Sequence, residues 1–139
     1  MLAEGKVAEV IGGFYHFAIV EVEVEHSPVT EVSIHCSGDG WVRQGSLEDA
    51  AADGYDAWKT GAESGVLFAL RQMDSNARVR IERVTGMATD TNATCCAVAA
   101  ARAVWSGLTY SPSAELDDQL QAALRGSFES PDETLLPNP

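Results

Sequence analysis

The chain has 139 residues, which suits a single domain with a substantial hydrophobic core. Hydrophobic residues make up 45% of the chain, a fraction that argues against disorder. The 9 Lys and Arg residues stand against 21 Asp and Glu residues, so the formal net charge is −12. Because so acidic a surface repels phosphate backbones, the composition argues against nonspecific nucleic-acid binding and favours solubility or a basic partner.

The sequence also bears on the compartment. No apolar run approaches the roughly 20 residues that a membrane-spanning helix needs, so we expect no membrane span. The first ten residues, MLAEGKVAEV, lack the basic and apolar regions of a signal peptide. Three cysteines, an odd number, fit a reducing compartment better than a disulfide framework. These features together predict a cytoplasmic protein.

The first third of the chain predicts three strands. A short strand over residues 6–11 is followed by a turn at Gly12-Gly13. Over residues 17–26, valines alternate with glutamates, which is typical of a strand with one buried face and one acidic face in water. Alternation over residues 32–36 predicts a third strand. We expect these three strands to form an antiparallel meander.

The middle of the chain predicts a loop and then a helix. Residues 41–53 mix Gly, Gln, Ser and acidic residues and predict a loop, with a helical turn over residues 47–52 as an option. Apolar residues then recur three or four apart over residues 55–73, as on one stripe of a helix. A buried strand over residues 66–70 is the alternative, but the length of the pattern favours the helix.

The most informative stretch covers residues 78–107 and predicts a strand, a tight loop and a helix. Val79 and Ile81 alternate with charged residues, and we expect Gly86 to end the strand. The short polar side chains at residues 90–92 are candidate helix N-caps, because they can accept hydrogen bonds from free backbone N–H groups. The helix that follows is rich in alanine and ends at Gly107.

The last part predicts a short helix and a tail. Ser111 or Ser113 is a candidate cap for a helix with leucines at 116, 120 and 124, which ends at Gly126. Residues 127–139 are rich in Pro and acidic residues, and we expect this tail to be mobile. Residues 1–126 are thus predicted to form one α+β domain. The expected architecture is a two-layer sandwich, in which a four-stranded, mostly antiparallel sheet carries two main helices on one face.

Three segments in this order resemble the fourth domain of translation elongation factor G. Residues 12–24, GGFYHFAIVEVEV, are similar to the family's Gly-x-Tyr-Gly-His opening, with Phe14 at the Tyr, Tyr15 at the second Gly and His16 at the His. The helix around residues 65–70 is similar to the family's long helix. Residues 90–105 are similar to its Val-Asp-Ser-Ser-Glu helix start, with Asp90 at the Asp and Thr91 and Asn92 at the two Ser positions.

This resemblance implies the ribosomal protein S5 domain 2-like fold, but the chain departs from the family in two ways. It contains no GxxxxGK[ST] phosphate-binding loop, so we expect no GTPase activity. In the family, the loop before the second helix carries a His and enters the ribosomal decoding region. The corresponding loop here, residues 86–89, is shorter and has no His. Because fold does not imply function, we expect this chain to have the fold of the family's fourth domain without that domain's activity.

The histidines and cysteines fit structural roles better than chemical ones. His16, His26 and His35 have no metal-ligand spacing, and a hydrogen-bonded structural His is the favoured interpretation over a ligand. His35 and the adjacent Cys36 point to opposite strand faces and are not expected to pair. Cys95 and Cys96 lie near a helix N-terminus, where the dipole lowers a thiol pKa. However, they are more simply interpreted as small buried residues on the sheet, and no catalytic residue is predicted.

The remaining binding candidates surround an acidic stretch over residues 39–56. Its spacing is not that of a calcium loop, and a solvated surface is the simplest interpretation. An exposed Trp41 beside these acids would suit a protein interface. The Met87 loop is a second candidate contact. We therefore predict binding residues His16, Trp41, Met87, Thr89 and Asp90, with no metal or cofactor.

Three functional hypotheses follow from the sequence. The first is a non-catalytic, translation-associated module that binds a basic or ribosomal protein partner. The second is direct ribosome or RNA binding by the loop ends, against which the net charge of −12 argues. The third is a small enzyme on the same fold. A homodimer formed through the valine-rich strand is a further expectation, although the glutamates of that strand would blunt such pairing.

Overall fold

The computed structural model describes residues 1–41 and 47–137. The predicted α+β class is confirmed, with two long helices packed on a sheet and a shorter third helix. In chain order, the elements are β1 (Leu2–Ile11), β2 (Phe14–His26), β3 (Glu31–Ile34), β4 (Gly40–Trp41), β5 (Leu47–Asp49), α1 (Asp56–Met73), β6 (Ala77–Met87), α2 (Ala93–Gly107), α3 (Ala114–Gly126) and a 3₁₀ turn (Ser127–Glu129).

The sheet is mixed, and β6 is its central strand. The order is β1-β2-β6-β5-β4, and β3 also pairs with β6. On one side, β6 runs antiparallel to β2. On its other side, it runs parallel to β3 through Arg78–Ile81 and antiparallel to β5 through Thr85–Met87. The sheet therefore has more strands than the four predicted, because the short β4 and β5 are added to it.

The predicted antiparallel meander of the first three strands is wrong at the third. Strand β3 does not pair with β2, because both edges of β2 are taken by β1 and β6. Instead β3 lies beside β6 with Val32 opposite Val79 and Ile34 opposite Ile81. The backbone N–H of His35 continues this ladder by donating to the Ile81 carbonyl oxygen at 2.8 Å.

Two further predictions fail at the far end of β6. The optional helical turn over residues 47–52 is not formed, because Leu47–Asp49 is a strand, β5, whose Asp49 carboxylate accepts a hydrogen bond from the Thr85 hydroxyl. Residues 42–46 of the predicted loop lie outside the described residues. Gly86 does not end β6 but pairs with Glu48 inside it. A Cβ at Gly86 would lie 2.7 Å from the Thr91 side chain and 2.8 Å from the Trp58 ring. This glycine therefore serves close packing rather than a turn.

Helices α1 and α2 approach the sheet and each other through glycine. A Cβ added at Gly61 or Gly65 would overlap the α2 backbone at Ala93 or Ala97, respectively. A Cβ at Gly5 of β1 would overlap the carbonyl oxygen of Ala99 in the same helix. We call these three glycines, together with the α2 backbone that they contact, the small-residue seam. The seam lets three elements pack at backbone distance, and α2 is buried along nearly its whole length.

The opposite face of the sheet is open and charged. Arg78 of β6 forms ion pairs with Glu25 of β2 at 2.9 Å and with Glu31 of β3 at 3.0 Å. Arg80 pairs with Glu82 at 3.2 Å. The acidic face predicted for β2 is therefore matched by arginines of the neighbouring strand. Exposed pairs of this kind each contribute little, about 0 to 1 kcal/mol, to stability.

The chain after Gly126 packs on the start of α2. Asn92 Nδ2 donates to Ser127 Oγ at 2.8 Å, and the backbone N–H of Ala93 donates to the Pro131 carbonyl oxygen at 2.9 Å. Leu136 is 4% exposed. The mobility of the 127–139 tail and the 1–126 domain boundary stay predictions. Within residues 1–41 and 47–137, no helix is long and apolar enough to cross a bilayer.

Candidate functional site

The five predicted binding residues are brought to one end of the sheet. His16 lies at the start of β2, and the next residue, Phe17, donates its backbone N–H to the carbonyl oxygen of Asp90 at 2.9 Å. Met87 ends β6 opposite Leu47 of β5. Trp41 of β4 pairs through its backbone with Glu48 of the same strand β5. We call this region, formed by the turn 12–13, the loop 88–92 and strands β4 and β5, the tip end.

A tight hairpin turn forms an exposed part of the tip end. Gly12 and Gly13 both adopt positive φ angles, of 62° and 85°, as a two-residue hairpin turn of type I′ requires. Around the turn, Val10 is 68% exposed and Phe14 is 63% exposed. Tyr15 is 37% exposed. The hairpin therefore presents apolar and aromatic groups to solvent on a backbone that the sheet holds in place.

His16 is buried beneath this turn and holds it to α3. Its ring is 0% exposed, with Nδ1 2.9 Å from the Phe14 carbonyl oxygen and Nε2 2.8 Å from the Leu124 carbonyl oxygen. The Phe128 ring lies against it, with the ring centroids 4.8 Å apart. These contacts join the hairpin to the carboxyl end of α3 and to the 3₁₀ turn. The geometry is that of a structural histidine, whereas His26 and His35 are exposed.

The loop 88–92 is fastened to the sheet by a threonine. The Thr91 hydroxyl donates to the Phe17 carbonyl oxygen at 2.6 Å and accepts from the Met87 N–H at 2.7 Å. Thr91 is buried, whereas Thr89 is exposed at the end of the loop. Asn92 caps α2 by accepting the Cys95 N–H at 2.8 Å. Of the candidate N-caps at residues 90–92, Asn92 therefore caps the helix, whereas Thr91 holds the loop to the sheet.

Part of the acidic stretch has a structural role at this end. Glu48 accepts a hydrogen bond from the Tyr55 hydroxyl at 2.8 Å, and this bond raises the pKa of Tyr55. The Tyr55 and Trp58 rings lie against each other, with centroids 5.0 Å apart. Asp53 and Asp56 remain exposed beside this pair. The side chain of Trp41 lies outside the described residues, so its predicted exposure stays a prediction.

The cysteine thiols are buried in the core rather than presented at a site. Burial raises the pKa of Cys95 to about 11 and raises that of Cys96 well above its ordinary value. Burial also raises the pKa of Cys36. The helix N-terminus does not offset this, because desolvation of a buried thiolate is the larger effect. Among residues 1–41 and 47–137, no three His, Cys, Asp or Glu side chains are placed to hold a metal ion.

A surface depression lies at the other end of the molecule. It has a volume of about 310 Å³ and lies between the carboxyl end of α1 and the loop before β3. Thr30, Leu70, Asp74 and Asn76 are among the residues that line it. The hydroxyl of Thr30 donates to Asn76 Oδ1 at 2.8 Å. None of the five predicted binding residues lies there.

Sequence reasoning missed Val10 and Phe14, two exposed large apolar side chains of the tip end, as contact residues. Val10 lies in a predicted strand, and Phe14 stands out in the sequence only as the counterpart of the family's Tyr. The signal that finds Val10 is parity, because it lies out of phase with the buried Val7 and Ile11.

Comparison with known proteins finds a distant structural neighbour. Neither a protein-family model nor a curated protein matches the chain. Among solved structures, it is similar to a protein from Thermus thermophilus, with 16% sequence identity and a TM-score of 0.49. The similarity covers 73% of this chain and 15% of that protein, so the chain corresponds to a small part of the Thermus protein's length.

Proposed function

We propose that this protein is a non-catalytic interaction module, resembling the fourth domain of elongation factor G, that binds a protein partner through the tip end of its sheet. The observation that carries the proposal is the hairpin turn, where Val10 and Phe14 are 68% and 63% exposed. Val10 and Phe14 lie on opposite faces of the hairpin, so the turn exposes large apolar side chains on both faces. Such side chains on a rigid turn are typical contact residues of protein interfaces.

The turn is well suited to act as a preformed contact. Its backbone is set by Gly12 and Gly13, and its base is fixed by the buried His16. Phe14 leans on Phe128, with ring centroids 5.7 Å apart, so the exposed ring is supported from behind. Little side-chain and backbone freedom remains to be lost when a partner binds, and this favours affinity.

Charge supports a basic partner. The net charge is −12, and exposed acids at positions 39, 53 and 56 lie on the segments that lead to and from β4 and β5. An apolar contact on a domain with this excess of acidic groups fits a basic protein surface, with the charges steering the encounter and the apolar side chains supplying the buried area. Ribosomal proteins have this character, and the resemblance to a translation factor domain makes the ribosome the first partner to test.

The test is cosedimentation of the purified protein with ribosomes at low and high salt. Binding that weakens with salt is the expected result. Val10→Ser should weaken it at least about tenfold, since removing a central apolar contact costs on the order of 1.4 kcal/mol or more.

Val29→Ser is the matched control, because Val29 is 63% exposed in the loop that follows the opposite end of β2. It should bind like the unchanged protein. Equal loss of binding in both variants would contradict the tip end as the contact. A protein that stays in the supernatant at both salt concentrations would end the ribosomal form of the proposal.

A further inference from the structure

Strand β1 forms one edge of the sheet, and its outward backbone groups can be identified. Among the described residues, β1 pairs with β2 alone. The Met1 carbonyl oxygen accepts the Val24 N–H of β2 at 2.9 Å, so odd-numbered residues direct their backbone groups toward β2. The Lys6 carbonyl oxygen instead accepts from Arg102 of α2 at 2.8 Å. Even-numbered residues of β1 therefore direct their N–H and C=O groups outward.

These outward residues form a row with an internal complementarity. Leu2, Glu4, Lys6 and Ala8 are all exposed, and their side chains lie on the open face of the sheet. On each side of Gly5, the row has a charged residue and then an apolar one. These are Glu4 and Leu2 on one side and Lys6 and Ala8 on the other. A strand with this pattern is complementary to an antiparallel copy of itself.

Comparison of the possible registers supports this complementarity. When two β1 strands pair about a two-fold axis centred on Gly5, Glu4 faces Lys6 of the second copy and Leu2 faces its Ala8, each twice. Centring the pair on Lys6 or on Glu4 places like charges opposite each other, which is destabilising. Centring it on Val7 places no opposite charges together. Of these four registers, only the one centred on Gly5 places Glu4 and Lys6 opposite each other.

We infer that the β1 edge is an interface for a second copy of this chain, paired antiparallel in the Gly5 register. The two sheets then form one continuous sheet across a two-fold axis, the commonest symmetry of soluble oligomers. The Lys6 carbonyl oxygen accepts the Glu4 N–H of the second copy in addition to its bond from Arg102, since a carbonyl oxygen has two lone pairs. The dimer expected on the valine-rich β2 is not available, because β2 lies between β1 and β6.

A charge-swap series tests the register by light scattering or sedimentation equilibrium. The unchanged chain should show twice its mass of 14.8 kDa. Lys6→Glu and Glu4→Lys each convert two attractive pairs into two repulsive ones, and each should raise the dimer Kd at least about tenfold. The double variant E4K/K6E restores opposite charges and should restore the dimer.

Proline provides a test that does not depend on charge. Ala8→Pro removes an outward N–H that the Gly5 register uses, whereas Val10→Pro removes an outward N–H that lies beyond the paired segment. Ala8→Pro should give monomers and Val10→Pro should leave the dimer intact, with circular dichroism verifying that both are folded. A monomeric unchanged chain at all concentrations, or a folded E4K/K6E variant that stays monomeric, would overturn the inference.

Discussion

The small-residue seam and the tip end are built on opposite principles. In the seam, three glycines bring β1, α1 and α2 to backbone contact, and any added atom meets main chain that cannot move aside. At the tip end, Val10 and Phe14 extend into solvent on a turn whose glycines have open space around them or only a flexible side chain nearby. The difference indicates that the seam carries the stability of the fold, whereas the tip end is free to carry binding.

The largest expected effect is at the seam. Gly65→Val should lower the free energy of unfolding by about 3 kcal/mol or more, because its side chain overlaps the α2 backbone at Ala97. Urea denaturation measures the loss. Gly126→Ala is the control, since its Cβ would lie 3.4 Å from the Leu135 side chain, and it should stay within about 0.5 kcal/mol of the unchanged protein. Equal stabilities would mean that the seam is not tightly packed.

Replacement of His16 tests whether this residue belongs to the core or is a contact residue of the tip end. His16→Ala should lower the free energy of unfolding by about 3 kcal/mol, because it leaves a cavity and removes both contacts to the Phe14 and Leu124 carbonyl oxygens. The exposed His35, replaced in the same way, should cost about 0.5 kcal/mol or less. If His16→Ala is as stable as the unchanged protein but loses its partner, His16 is a contact residue and not a structural one.

The buried thiols predict a loss of stability in alkali. The pKa of Cys95 is raised from 9.0 to about 11 in the folded protein, so the unfolded chain loses this proton first as the pH rises. The favourable contribution is complete below pH 9 and is lost between pH 9 and pH 11, at about 1.4 kcal/mol per pH unit for each such thiol. Urea denaturation across this range measures the slope. In the double variant C95A/C96A, the free energy of unfolding should fall clearly less steeply with pH. An unchanged slope would mean that the buried thiols do not cause the loss of stability in alkali.

The smallest expected effect is on the stability of the tip end itself. Val10→Ser and Val29→Ser should each change the free energy of unfolding by about 0.5 kcal/mol or less, because both side chains are already mostly exposed. The two variants should then differ in partner binding but not in thermal denaturation. A large loss of stability for Val10→Ser would mean that the hairpin turn belongs to the core.

Local patterns predict much of this molecule, whereas contacts between distant segments escape them. The alternation of β2, the helical period of α1 and the capping role at residues 90–92 are properties of neighbouring residues, and each appears in the structure. The parallel pairing of β3 with β6 depends on which strand edge is free, and no local pattern encodes that. In the sequence, Gly86 looks like the end of a strand. Its actual role, to make room for the Thr91 and Trp58 side chains, is seen only in the folded structure.

The candidate site shows the same division. His16, Met87, Thr89 and Asp90 lie at one end of the sheet because they border the hairpin and the helix start, which local patterns predict. Trp41 is brought to the same end by β4 and β5, a segment predicted as loop. The role of His16 requires Leu124, more than a hundred residues away, whereas the exposure of Val10 follows from its parity in the strand.

Hydrogen–deuterium exchange of the protein with and without ribosomes tests binding through the tip end most directly. We expect slower exchange at residues 10–17 and 87–90 when ribosomes are present, with the seam glycines and α1 unchanged. Protection confined to the depression near Asp74 and Asn76, or to the open face around Arg78, would contradict binding through the tip end, because the contact would then lie away from the hairpin turn.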